Sequence, residues 1–94
     1  MFRAGFIVAL LLSASATHAE CFADYKAKRD DPLRLHYGVV ELSDQTCRSP
    51  GAVETEIRDR LAKNEWTLLN VVGTFDESGL EERRQSAGEH FLRY

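Results

Sequence analysis

Few residues that advertise chemistry are present in this sequence. Its six glycines do not cluster, so there is no Gly-rich phosphate loop, and H-E-x-x-H, G-x-S-x-G and EF-hand patterns are missing too. Those gaps remove the usual signatures of nucleotide, zinc-protease, serine-hydrolase and calcium sites. The two cysteines form neither C-x-x-C nor C-x-x-C-H, which excludes the common redox and haem-attachment motifs. Basic residues are not in excess: 12 Lys and Arg stand against 15 Asp and Glu, a net charge of −3. Binding to nucleic acid or to an anionic membrane surface needs a clustered basic surplus, so neither is expected. No apolar run approaches the roughly 20 residues of a transmembrane helix.

The N-terminus holds the clearest pattern that is there. Met1-Phe2-Arg3 is basic, Ala4–Leu12 is apolar, and Ser13–Ala19 is a stretch of mostly small residues. This order is that of a secretory signal peptide, and the apolar core is too short to anchor the chain. Exits after Ala16 and after Ala19 both fit the small-residue rule. The spacing from Leu12 favours Ala19, with cleavage between Ala19 and Glu20. Glu20 in front of Cys21 argues against lipidation of that cysteine. The chain thus reads as residues 1–19 signal peptide and 20–94 a single small domain. Loss of Arg3 leaves 11 basic against 15 acidic residues, a net −4.

Export places Cys21 and Cys47 in an oxidising compartment, periplasmic or extracellular, where the only two cysteines are expected to form a disulfide. A domain this small is marginal on its apolar core alone. Closing a loop of this length is worth about 3.5 kcal/mol in the chain-entropy account.

Residues 22–29 alternate apolar and polar, the period of a half-buried strand. Asp30-Asp31-Pro32 signals a turn. Residues 33–42 alternate again, with a bulge expected near Gly38. Ser43–Thr46 reads as a polar loop. Ser49-Pro50 marks a helix start, and Val53, Ile57 and Leu61 form one stripe of a helix over about 50–63. Its outer face pairs Glu54 with Arg58, Glu56 with Arg60 and Asp59 with Lys63 at i,i+4. Asn64 suits the left-handed cap that ends it. Trp66–Phe75 is rich in aromatic and branched residues, a strand expected to be central. Ser78-x-x-Glu81 has the form of a capping box, predicting a short helix at about 79–86 that Gly88 stops. His90–Tyr94 reads as a last short strand.

The fold expected is α+β: two layers, an antiparallel sheet of about four strands with one main helix on one face, in the order β-β-α-β-(short α)-β. Leu61-Ala-Lys-Asn-Glu-Trp66-Thr-Leu-Leu-Asn-Val-Val72 resembles the L-x-x-x-G-W-x-L-v-x-v pattern of small bacterial domains grouped as domain of unknown function 4177. Phe91–Tyr94 is similar to that family's last strand. The chain departs from the pattern where Asn64-Glu65 replaces the usual glycine before the tryptophan. Asp24–Lys28 and Asp31–Gly38 also resemble small exported proteins of Gram-negative bacteria. The resemblance implies a fold and brings no site residues.

His36 and His90 both fall on predicted strands. If those strands are neighbours, the two imidazoles with Glu41 or Glu89 would make a zinc site, which needs three or four ligands; otherwise they are two sheet-surface histidines. Lys26, Lys28, Arg34 and His36 suggest a basic strip for an anion or acidic partner, with Asp24 and Glu41 interleaved as on an ordinary solvated face. Trp66 is expected to fill the core rather than to serve as a ligand platform. Glu81-Glu82-Arg83-Arg84 lies in a long connection, 76–89, of the kind that is functional or disordered. No cofactor and no catalytic residue are expected. The reading that follows is an exported, non-enzymatic binding or accessory module that meets another periplasmic protein through the sheet edge or through 76–89. The alternatives are a metal-binding protein using His36 and His90, and a hydrolytic enzyme, for which no nucleophile–base–orienter set can be named.

Overall fold

A computed structural model describes residues 21–94. The predicted signal peptide and its Ala19–Glu20 exit lie outside the described residues. The alternating segments form β1 (Cys21–Arg29) and β2 (Arg34–Leu42), an antiparallel hairpin running from Cys21 opposite Leu42 to Arg29 opposite Arg34. Asp31 turns the chain with φ 61°, a left-handed conformation that Asp tolerates. No bulge interrupts this ladder at Gly38, which stands directly opposite Tyr25. The glycine has another role: a Cβ at position 38 would overlap the Tyr25 phenol.

The expected loop after β2 contains one helical turn, α1 (Asp44–Cys47), and the Ser43 hydroxyl caps it by accepting the Thr46 amide at 3.0 Å. That turn presents Cys47 to the start of β1, where it is disulfide-bonded to Cys21 with Cα atoms 6.5 Å apart.

The main helix is α2 (Pro50–Ala62), and Val53, Ile57 and Leu61 are its buried residues. Ser49 holds the N-cap position with extended backbone, but its side chain makes no capping bond. Glu54–Arg58 and Glu56–Arg60 close as ion pairs, whereas Asp59 and Lys63 do not. The helix ends at Ala62, and the left-handed residue that follows is not Asn64. Glu65, with φ 66°, is the left-handed residue; its amide bonds Ala62 O at 3.0 Å and the Trp66 amide bonds Leu61 O at 3.0 Å. This is the paired-bond closure usually built on glycine.

β3 (Thr67–Phe75) pairs antiparallel with β1, giving the order β2-β1-β3. The strand expected to be central is therefore an edge, and β1 is the centre. Two register shifts, between Asp24 and Tyr25 and between Lys26 and Ala27, leave Val72 and Leu69 without a ladder partner. Bulged residues escape the in–out alternation, so a strand with an almost wholly apolar sequence exposes both of these side chains.

The fourth strand does not form. Gly88–His90 is a 3₁₀ turn, and beyond it only Phe91 bridges β2, in parallel, at Val39. Positive φ at Gly88 (55°) and Leu92 (56°) prevents a sustained extended run. Among the described residues the sheet has three strands. The short helix is α3 (Leu80–Ala87), preceded by a 3₁₀ turn at Glu77–Gly79. Asp76 rather than Ser78 caps that turn, accepting the Ser78 amide at 2.9 Å.

α2 and α3 lie on opposite faces of the sheet, so the two-layer arrangement acquires a partial third layer. Ala23, Tyr25, Ala27, Val40, Leu42 and Leu68 pack with α2 and Trp66, while Phe22 and Val39 pack with Ala87 on the other side.

Candidate functional site

His36 points from β2 to the α2 side of the sheet, against Tyr25 and Trp66. The Tyr25 hydroxyl and His36 Nε2 are 2.8 Å apart, and the Trp66 ring meets the imidazole edge-on at 4.3 Å. The segment after α3 then crosses the outer edge of β2. It lays His90 flat on His36, ring centres 3.7 Å apart and 14° from parallel, with Tyr94 beside both. Arg29 closes the cluster, its guanidinium 4.1 Å above Trp66 and bonded to Asn64 O at 2.7 Å. Burial, then the neighbouring His90 and Arg29, pushes the His36 pKa down to about 4. Burial also lowers His90, partly opposed by Glu89. Both rings are thus neutral at pH 7, and the Tyr25 hydroxyl and His36 Nε2 share one hydrogen bond. Burial holds the Tyr25 phenol well above its ordinary range. Three buried nitrogens here, His36 Nδ1, His90 Nδ1 and Trp66 Nε1, have no protein partner.

The two histidines therefore meet, as the zinc reading required. They meet face to face, however, and lone pairs in parallel ring planes do not converge on one ion. Glu89 Oε2 is 3.6 Å from His90 Nε2, while among the described residues no ion pair joins Glu41 to either imidazole. Among the described residues no group of three His, Cys, Asp or Glu is placed to hold a metal ion. Neither histidine hydrogen-bonds a hydroxyl or thiol that it would activate as an aliphatic nucleophile.

The opposite face carries a second polar constellation that the sequence did not reveal. Asp24, only 4% exposed, accepts the Tyr37 hydroxyl at 2.8 Å and Arg83 Nε at 3.1 Å. Arg83 also donates to Gly79 O at 2.7 Å and lies 4.0 Å over the Phe75 ring. Burial and the bond to Asp24 push the Tyr37 pKa up to about 12, and the same carboxylate raises Arg83. This group fastens α3 to the sheet. Glu81-Glu82-Arg83-Arg84 therefore belongs to an ordered, packed helix, with Arg83 inward and Arg84 over Phe91. In the sequence, Asp24 passes for the solvent side of an alternating strand, and its partner lies 59 positions away.

No family model, curated protein or solved structure matches this chain. The geometry must therefore speak for itself. α3 covers only the end of its face near Phe22, Asp24 and Val39. The other end carries Lys26 and Lys28 with Leu35 and Leu69, and Leu35 is 65% and Leu69 50% exposed. Lys26, Leu35, Tyr37 and Leu69 line a shallow groove of about 370 Å³ there. The expected basic strip is split by the pleat, since His36 projects to the other face. Trp66 fills the core, as expected, at 6% exposure.

Proposed function

We propose that this protein is a small exported binding module whose contact surface is the uncovered half of the sheet beside the open β3 edge. The observation that carries the reading is the pair Leu35 and Leu69, two leucines held in solvent on a sheet face whose other half is covered. A sheet face of exposed leucines is ordinarily covered, and an edge strand with unpaired main-chain groups invites another strand. Val72, bulged out of the same edge, extends the apolar surface. Among the described residues Lys26 has no carboxylate partner and Lys28 pairs only with exposed Asp30, so the surface is basic as well as apolar. An acidic, extended segment of another protein with alternating leucines is complementary to it.

Export is supported by the signal-like N-terminus together with the Cys21–Cys47 disulfide, which persists in an oxidising compartment. Kinship with the domain of unknown function 4177 is supported by Glu65, since its left-handed backbone stands where that pattern has glycine.

The test is an NMR titration of the labelled 20–94 domain with an acidic peptide of alternating leucine and glutamate. Amide shifts centred on Lys26, Leu35, Leu69 and Val72 are expected. They should vanish in Leu35→Ser/Leu69→Ser, whose stability stays within about 0.5 kcal/mol because both residues are exposed. Shifts centred on α2, or equal shifts with a lysine-for-glutamate peptide, would overturn the reading.

A further inference from the structure

The segment that carries His90 is held in an unusual way. It leaves α3 on one face, crosses the outer edge of β2, and ends among the rings of the other face. Its only main-chain hydrogen bond to β2 runs from Leu92 N to Val39 O at 2.8 Å. Arg60 Nη1 reaches Tyr94 O at 3.5 Å. Phe91 packs on the α3 side near Phe22 and Val39. Arg84 lies over the Phe91 ring, and His90 stacks on His36 with Tyr94 beside it.

We propose that Gly88–Tyr94 is an acid-released strap, latched across the outer edge of β2 by the stacked neutral imidazoles of His36 and His90, and that its release bares that edge.

The latch works only while both rings are uncharged. A proton on either ring would place an imidazolium 3.7 Å from the second ring, in a site shielded from water. The groups facing the pair offer little compensation. Tyr25 from β1 is a neutral phenol, Arg29 from the same strand is cationic, and the Trp66 ring stands perpendicular to His36. From α2, Arg60 is committed to Glu56. Within the strap, Arg93 is cationic and opposes protonation, and Glu89, largely in solvent, is the one side-chain carboxylate. In either imidazolium the Nδ1 proton faces no acceptor among the described residues.

The direction with pH follows. A released histidine binds its proton near pH 6.5, whereas latched His36 does so only near pH 4. The latch is at full strength above pH 6.5. Between about 6.5 and 4 the contribution of His36 weakens by up to tenfold per pH unit, and His90, also lowered by burial, adds a loss of the same sign. This stands apart from the binding surface proposed above, which lies on β3 and the opposite face. Release would uncover main-chain groups of β2 around Val39, a second edge able to accept a strand.

Amide hydrogen exchange of the disulfide-intact 20–94 domain, read residue by residue between pH 7.5 and 4.5, tests the strap. Protection at Leu92 is expected to fall by about tenfold or more relative to Tyr25 on the central strand. In His90→Phe, which keeps the stacked ring and removes its charge, the relative fall should shrink to a few-fold. Should that variant not fold, His36→Gln serves the same comparison, and the wild-type contrast between Leu92 and Tyr25 is decisive without either. Unchanged Leu92 protection, an equal fall at Tyr25, or an undiminished fall in a folded histidine variant would each overturn the proposal.

Discussion

The two faces of the sheet are covered by different physics. On the α2 face the side chains of Tyr25, Val40, Ile57 and Leu61 are fully buried, and the helix is held by apolar area and shape. On the α3 face the apolar contact is small, and a buried carboxylate shared by Tyr37 and Arg83 does the fastening. Apolar burial is non-directional and needs a long stripe, which α2 has and α3 lacks. A charged hydrogen-bonded group holds a short helix in one place but cannot cover a whole face. The lesson is that the second face is left half open because its helix is docked at a point rather than along a line.

The contrast can be broken hardest on the α2 side. Ile57→Ala should cost about 3–4 kcal/mol in urea unfolding, with all probes melting together, because it leaves a cavity in the larger core. Replacing Cys21 and Cys47 by serine should cost about 3 kcal/mol, read as a lowered thermal midpoint, through the freer unfolded chain. Asp24→Asn should cost about 2 kcal/mol by weakening two charge-assisted bonds. Hydrogen exchange should place that loss chiefly in α3 and leave α2 nearly unchanged; a uniform loss would show that the two faces are not separable. The smallest effect has the opposite sign. Glu65→Gly should stabilise by about 0.5–1 kcal/mol, since it relieves a left-handed residue without removing a buried side chain.

Local signals were legible where one element decides its own geometry. The alternation of 22–29 and 33–42 set the hairpin, and the Val53, Ile57, Leu61 stripe set α2 and its inward face. Signals failed where a distant residue decided. Asn64 is a good left-handed candidate, but Glu65 takes that conformation. Trp66–Phe75 looks like a central strand because it is apolar throughout; two bulges against β1 instead push Leu69 and Val72 into solvent at an edge. Ser78 fits a capping box, yet Asp76, two residues earlier, captures its amide. The candidate sites divide in the same way. Both histidines stood out by their rarity, but nothing in their spacing told stacking from convergence on a metal. Arg83 stood out only as part of a charged run, and nothing in the sequence paired it with Asp24.

By itself, the sequence determined the hairpin, the main helix with its buried stripe and the pairing of its only two cysteines, because periodicity and elimination are properties of a chain. Tertiary structure decided the strand order, the side that α3 occupies, the stacking of His36 on His90 and the exposure of Leu35 and Leu69. Each of these depends on a contact between segments far apart in the chain. Such a contact is fixed by register and packing, which leave no periodic trace in either segment alone.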